Sequence, residues 1–126
     1  MIIAIDFDGT CVTHEYPRVG RDIGAIPVLK QLIENGHNLI LYTMRSDFKG
    51  KQLTDAVNWF RDNNIPLYDI NKNVSQLHWT TSPKVLADLY IDDAALGCPL
   101  IYSTNGERPY VDWIEVKKIL KSKTLL

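Results

Sequence analysis

Short apolar runs recur along this chain and limit the folds open to it. Residues 1–5 (MIIAI) and 39–42 (LILY) contain only apolar and aromatic side chains. A strand of a parallel sheet is buried on both faces and reads as such a run, whereas a half-exposed strand alternates apolar with polar residues. Further strand candidates are PLYDI from Pro66, VLADLYI from Val85 and CPLIY from Cys98. The pattern predicts a buried parallel sheet.

Amphipathic segments separate these runs. Pro27 is suited to opening a helix and Gly36 to closing it, and a second helix fits Gln52 to Asn63. Asn105-Gly106 predicts a turn, and a C-terminal helix follows it. Strands that alternate with helices predict an α/β domain, in which a central parallel sheet carries helices on both faces as a Rossmann-like three-layer sandwich. The apolar face expected for the last helix consists of Trp113, Val116, Ile119 and Leu120.

Length and charge narrow the classes of function. A chain of 126 residues is the size of one domain, so we expect residues 1–126 to form a single unit. The net charge of -1 gives no specific signal for nucleic acid and none for an anionic membrane. Only two cysteines are present, and there is neither a secretory n-region nor an apolar run near 20 residues. We therefore expect a cytoplasmic protein without a membrane partner.

Polar side chains follow three of the predicted strands. Asp6 and Asp8 come directly after the first apolar run, Thr43 follows the second, and Asp92 and Asp93 end a later one. In parallel α/β sheets, ligands bind beyond the carboxyl ends of the strands. The sequence therefore predicts that four carboxylates and a hydroxyl converge at one edge of the sheet.

Converging carboxylates need a cation to offset their repulsion. Oxygen ligands favour a hard divalent ion, and Mg²⁺ is the expected cofactor. Because Mg²⁺ is usually held by one or two protein carboxylates, waters and substrate phosphate, a phosphoryl group is expected to complete its shell. Lys84 precedes the last acidic pair and is a suitable phosphate partner, since its ammonium neutralises charge without requiring a planar acceptor.

Taken in order, DFDGT, Thr43, Lys84 and IDD resemble the four motifs of the haloacid dehalogenase (HAD) superfamily. The resemblance spans Asp6 to Asp93. It implies a HAD-type fold and a Mg²⁺-dependent phosphohydrolase that acts on a phosphomonoester through an aspartyl-phosphate intermediate. DxDGT after an apolar strand is the specific part of this signal, whereas Thr43 and Lys84 gain meaning from their order.

The resemblance also implies a role for each matched residue. Asp6 is expected to be the nucleophile and a metal ligand. Asp8 is expected to serve as general acid and base with its side chain free, and to bind the metal through its backbone carbonyl. Gly9 and Thr10 are expected to turn the chain so that backbone N–H groups face the phosphate.

The later motifs are expected to bind phosphate and metal. Thr43 would donate a hydrogen bond to a phosphate oxygen, and Lys84 would stabilise the charge of the transferring group. Asp92 is the first choice for the remaining metal ligand. Asp93 is either an outer acceptor that fixes waters or Lys84, or the ligand itself.

The spacing of the motifs leaves no room for a separate cap domain. An open catalytic edge admits small or macromolecular phosphorylated substrates, and a second copy of the chain is one way to close it. Water exclusion otherwise falls to short loops. His14, Arg18, Arg45 and Trp79 lie in such loops and are candidates for contact with the substrate.

Two other classes of protein use a similar set of residues. A receiver-like signalling module also combines a phospho-accepting Asp, Mg²⁺, Thr and Lys, but its acidic pair would come first and its acceptor, here Asp69, would precede the Thr. A phosphoester-binding domain without turnover would have no use for Asp8. A P-loop NTPase is excluded because no GxxxxGK[ST] occurs, and metal-free glycosidase chemistry needs more widely separated acids.

Overall fold

Four of the predicted strands form one parallel sheet. The computed structural model describes residues 1–126 and contains strands β1 (Ile2–Ile5), β2 (Asn38–Leu41), β3 (Asp69–Ile70) and β4 (Leu89–Ile91). The strand order is β3-β2-β1-β4, and every neighbouring pair is parallel. Ile5 of β1 lies opposite Leu41 and Ile91. The residues that follow β1, β2 and β4 therefore meet at one edge of the sheet.

Three helices pack against the sheet, which confirms the predicted α/β class with a central parallel sheet. They are α1 (Ala25–Glu34), α2 (Gln52–Asp62) and α3 (Trp113–Ser122). Helix α1 begins two residues before Pro27, because Gly24 provides the turn into the helix at a φ of 98° and the proline then fits within the first turn. Asp112 caps α3 by accepting hydrogen bonds from the backbone N–H groups of Ile114 and Glu115. None of these helices combines the length and hydropathy that crossing a bilayer requires.

One apolar core joins the three helices to one face of the sheet. Ile3 and Ile5 of β1 and Leu39 and Leu41 of β2 alternate onto this face. Ile119 was predicted to share the buried face of α3 but is 41% exposed. On a helix of 100° per residue it lies beyond the arc set by its buried neighbours. The core residues contributed by the helices are Ala25, Val28, Leu29, Leu32, Ala56, Phe60, Trp113, Val116 and Leu120.

The opposite face of the sheet is lined by aliphatic and aromatic side chains. Ala4 and Ile40 are buried there, and the rings of Tyr42 and Tyr90 lie 6.3 Å apart. The Tyr90 hydroxyl donates to the backbone carbonyl of Val85, which belongs to the irregular chain between β3 and β4. A single 3₁₀ turn, Val74–Gln76, interrupts that chain. This face is therefore covered by a loop-rich layer and not by the helices that the sequence analysis predicted for both faces, because the chain between β3 and β4 forms only one 3₁₀ turn.

A small second sheet lies outside the main one. Its strands are β5 (Leu100–Ile101) and β6 (Tyr110–Val111), which pair antiparallel around the predicted Asn105-Gly106 turn. The sequence analysis predicted β5 but not β6, whose two residues are too few to give a periodic signal. The backbone N–H of Val111 donates to the carbonyl of Gly9, so this sheet supports the DFDGT loop.

Candidate functional site

Three carboxylates meet at the carboxyl edge of the sheet. Asp6 directly follows β1, and Asp92 and Asp93 directly follow the adjacent strand β4. One ligand oxygen from each of the three residues lies within 4.8 Å of the other two, and all three residues are partly buried. The parallel pairing of β1 with β4 therefore assembles a carboxylate triad from residues more than 80 positions apart.

Thr10 links two members of the triad. Its buried Oγ1 lies 2.9 Å from Asp6 Oδ2 and 3.2 Å from Asp93 Oδ1, and it accepts the backbone N–H of Asp93 at 3.0 Å. Because a hydroxyl has one hydrogen, it can donate to only one carboxylate at a time. The indole N–H of Trp113 donates to the Thr10 carbonyl at 2.7 Å, so the C-terminal helix fixes the loop that carries this hydroxyl.

Asp92 and Asp93 have different surroundings. Both oxygens of Asp93 have partners, since Oδ1 lies near Thr10 and Oδ2 is 2.9 Å from His14 Nε2. Asp92 Oδ1 accepts the backbone N–H of Ala94 at 2.8 Å, and Oδ2 has no hydrogen-bond partner in the protein. Asp92 therefore keeps an oxygen free for an external ligand, whereas Asp93 is held by its neighbours.

The triad perturbs the acidity of Asp6. Burial raises the pKa of this carboxyl to about 8, and the charge of Asp92 and the hydrogen bond with Asp93 add to the effect. The Thr10 hydroxyl and the backbone N–H of Phe7 act in the opposite direction. No Lys or Arg lies within 4 Å of Asp6. Without a cation, the three acids therefore retain a proton near neutral pH.

This donor set fits a hard divalent cation. All of the grouped ligand atoms are carboxylate oxygens, which match the preference of Mg²⁺ and not that of softer metals. Burial and, after it, the charge of Asp92 raise the pKa of Asp6, and a bound cation would oppose both effects by favouring the ionised carboxylate. The sequence prediction of a cation site thus meets a compatible arrangement at Asp6, Asp92 and Asp93.

The side chain of Asp8 lies outside the triad and pairs with Arg45. Its Oδ2 and Oδ1 accept hydrogen bonds from Nε and Nη2 of Arg45, both at 2.8 Å. The Arg45 side chain is 1% exposed and that of Asp8 is 18% exposed. The expectation of a free Asp8 side chain therefore differs from the structure, because a buried guanidinium requires an anionic partner.

Thr43 and Lys84, the predicted phosphate-binding residues, have few contacts. Thr43 follows β2 at the same edge, where its N–H donates to Asn71 Oδ1 and its Oγ1 accepts the N–H of Arg45. The hydrogen of its hydroxyl remains available to a ligand. Lys84 is exposed on the chain between β3 and β4 and forms no ion pair within 4 Å.

A flap, residues 13–21, follows the DFDGT loop. Its ends are joined by two hydrogen bonds between Thr13 and Arg21. His14 lies at the start of the flap against Asp93, whereas the Arg18 side chain is 82% exposed. The fourth candidate for substrate contact, Trp79, is 63% exposed on the loop after the 3₁₀ turn.

Gly9 allows the flap to approach the triad. Its φ of 79° lies in the left-handed region that favours glycine. A Cβ at this position would lie 2.0 Å from His14 Nε2 and 2.6 Å from Asp93 Oδ2. The glycine of the DxDGT motif is therefore needed for the contact between His14 and Asp93 as well as for the turn.

Sequence reasoning missed three contacts of this site. It assigned no partner to Arg45, treated Thr10 as a turn residue, and left His14 among the loop candidates. The only available signal was that Arg45 lies two residues after a strand-end threonine, close to a predicted acidic edge. Its pairing with Asp8 depends on the path of two loops, which residue patterns do not specify.

Comparisons with known proteins place the chain in a family. No protein-family model matches it, and neither does any curated protein. Among solved structures, a conserved protein from Bacteroides thetaiotaomicron is 38% identical in sequence to this chain, and the two structures superpose with a TM-score of 0.76. The match covers 98% of this chain and 91% of that one. The chain therefore belongs to the same family as this conserved Bacteroides thetaiotaomicron protein.

Proposed function

We propose that this protein is a Mg²⁺-dependent phosphohydrolase of the HAD type, which cleaves phosphomonoesters through a phosphorylated Asp6. The observation that carries the proposal is the carboxylate triad at adjacent strand ends, with ligand oxygens within 4.8 Å of one another. The order of DFDGT, Thr43, Lys84 and IDD along the chain adds to it. A purely structural role would not explain three partly buried acids that have no Lys or Arg beside Asp6.

The cation would be held by Asp6 and Asp92, together with the backbone carbonyl of Asp8. Asp92 is favoured over Asp93 as the direct ligand because one of its oxygens has no partner in the protein. Asp93 would act from outside, held by Thr10 and His14. When bound, Mg²⁺ would supply positive charge that favours the anionic form of Asp6 and offsets the charge of the phosphoryl group.

In the first step, an Asp6 oxygen attacks phosphorus and the bond from phosphorus to the leaving oxygen breaks. The leaving oxygen takes a proton, and Asp8 is the proposed donor. In the second step, a water oxygen attacks the same phosphorus, Asp8 accepts the proton of that water, and the bond to Asp6 breaks. Inorganic phosphate leaves, and the Asp6 carboxylate is restored.

The pairing of Asp8 with Arg45 suits the second step, in which an ionised carboxylate accepts a proton, whereas the first step requires Asp8 to carry a proton beside the guanidinium charge. An ionised carboxylate has about four lone-pair positions, and Arg45 occupies two of them. The remaining positions can face substrate or water. Thr43 would donate its free hydroxyl hydrogen to a phosphate oxygen, and Lys84, which is exposed and has no ion pair, is the proposed cation for the transferring group.

The same pairing also favours a second candidate, a phosphoester-binding domain with little turnover. If Asp8 serves only as the partner of Arg45, a phosphorylated Asp6 would hydrolyse slowly. The receiver-like alternative has less support, because its acceptor Asp69 lies in the edge strand β3 and is not a member of the triad.

A phosphatase assay on a panel of phosphomonoesters, with Mg²⁺ or with EDTA, tests the proposal. We expect hydrolysis that requires Mg²⁺ and falls by at least about 10³-fold in Asp6→Asn, because the amide cannot act as the nucleophile. The matched control is Asp62→Asn, an exposed acid that contacts only Arg61. Hydrolysis that persists in Asp6→Asn would refute the assignment of the nucleophile.

Labelling separates the two candidates. With a ³²P-labelled substrate, we expect the label to remain on Asp8→Asn and to leave the native chain quickly, because the second step needs a base. Label that stays equally long on both chains would support the binding domain. Stable label on Asp69 would support the receiver-like alternative.

A further inference from the structure

Arg45 uses every hydrogen that its guanidinium can donate. Nε and Nη2 each bind one oxygen of Asp8, at 2.8 Å in both cases. Nη2 also donates to the Arg18 carbonyl at 2.7 Å. Nη1 donates to the carbonyls of Pro17 and Gln52, at 3.3 and 3.0 Å. These five bonds exhaust the donors of a guanidinium.

The five acceptors belong to three separate parts of the molecule. Asp8 lies in the loop after β1, Pro17 and Arg18 lie in the flap, and Gln52 is the first residue of α2. The flap is also held near its two ends, where His14 contacts Asp93 and Arg21 forms a bidentate ion pair with Glu107. Arg45 is the contact of its middle, at Pro17 and Arg18. Arg45 therefore connects the flap to the loop that carries Asp8.

Aromatic rings enclose the guanidinium. Its central carbon lies 5.0 Å from the centroid of the Phe7 ring and 5.3 Å from that of Tyr16. Phe7 is fully buried, so one side of the enclosure belongs to the core, and Tyr16 supplies the flap side. A planar cation gains from stacking on aromatic faces, and a lysine ammonium lacks the planar set of five donors.

We propose that Arg45 is a positioning residue, whose guanidinium fixes Asp8 and holds the flap closed beside the carboxylate triad. The catalytic part of this proposal rests on the proposed phosphohydrolase function, whereas the closure of the flap does not. Arg45 acts through Asp8 and through the flap carbonyls. Its role differs from that of Thr43 and Lys84, which are proposed to contact phosphate.

Limited proteolysis with trypsin tests the closure of the flap without any assay of activity. Trypsin cuts after Arg18 and Arg21. The Arg18 carbonyl, which belongs to the first of these peptide bonds, accepts a hydrogen bond from Arg45. We expect cleavage at these two bonds to be about tenfold faster or more in Arg45→Met, because opening of the flap no longer has to break the two hydrogen bonds from Arg45 to the carbonyls of Pro17 and Arg18. Arg61→Met, which removes an exposed arginine of α2, is the matched control.

Arg45→Lys provides a second test in case Arg45→Met does not fold, which the absence of a cooperative unfolding transition would show. It retains the charge beside Asp8 but not the fork of donors, so we expect faster cleavage of the flap here as well. Cleavage at the rate of the native chain in a folded Arg45→Lys or Arg45→Met would overturn the proposal.

A double-mutant cycle tests the action of Arg45 through Asp8. We expect Asp8→Asn to lower kcat by about 10²-fold or more in the native chain, and by less than about threefold once Arg45 is already Lys. KM should change little in either background, because neither side chain is proposed to bind phosphate. If the kcat of the double variant falls by the product of the two single-variant factors, Arg45 does not act through Asp8, and this part of the proposal is overturned.

The two proposals can fail separately. A native chain that hydrolyses none of the phosphomonoesters would refute the proposed function, and proteolysis would then decide the role of Arg45. Active enzyme with an unchanged flap in both Arg45 variants would refute the positioning role and leave the phosphohydrolase standing.

Discussion

Asp6 and Asp8 are one residue apart and have opposite surroundings. Asp6 faces two further acids, and its pKa is raised to about 8. Asp8 is paired through both oxygens with a buried arginine. Residues two apart usually point to the same side of a strand, but the chain leaves β1 at Ile5 and turns at Gly9, so the two carboxylates diverge. The turn thus gives two acids of the same motif different chemistry.

The largest expected contrast concerns stability. Asp8→Asn should lower the free energy of unfolding by about 3 kcal/mol, because the buried Arg45 charge loses its anionic partner. Urea unfolding at pH 7 in EDTA measures the loss, with the exposed Asp62→Asn as control. If Asp8→Asn loses no more stability than the control, Asp8 is not the required partner of the buried Arg45 charge, and the contrast with Asp6 is smaller than the structure indicates.

The second contrast concerns pH. In the metal-free protein the pKa of Asp6 is about 8, and an unfolded Asp has a pKa near 3.9, so between these values the folded state binds a proton that the unfolded state has released. The contribution of Asp6 to stability is therefore fully present at low pH and is lost as the pH rises towards 8. The loss is at most about 1.4 kcal/mol per pH unit.

Asp6→Asn should remove this pH dependence. Unfolding free energies of the native chain and the variant, measured in EDTA from pH 5 to pH 8, give the difference directly. We expect the variant to gain stability relative to the native chain as the pH rises, by about 2 kcal/mol between pH 5 and pH 7. If the difference in unfolding free energy between the two chains stays constant across this range, the inference that the triad holds a proton is wrong.

The smallest expected effect concerns His14, which contacts the triad through Asp93. His14→Asn should weaken the affinity for Mg²⁺ by about tenfold, because Asp93 loses the group that orients it. Isothermal titration calorimetry measures the affinity, and His78→Asn, which changes an exposed histidine, is the control. Unchanged affinity for Mg²⁺ would mean that the flap does not contribute to metal binding by the carboxylate triad.

The sequence predicted the acidic edge better than the loops around it. Asp6 and Asp92 meet because parallel strands end at a common edge, and their apolar runs are readable. The pairing of Arg45 with Asp8 crosses 37 positions between two loops, and no periodicity marks it. Ile119 shows the same limit on a smaller scale, since the orientation of α3 against its neighbours decides which margin of its apolar stripe is buried.

The support that β6 and α3 give to the DFDGT loop affects how the protein is made. The carbonyls of Gly9 and Thr10 accept hydrogen bonds from Val111 and Trp113, about a hundred residues further along the chain. During synthesis, the loop that carries Asp6 and Asp8 therefore leaves the ribosome long before its backbone partners do. Because contacts at such separation form late, the nascent chain would complete the candidate site only once α3 has emerged.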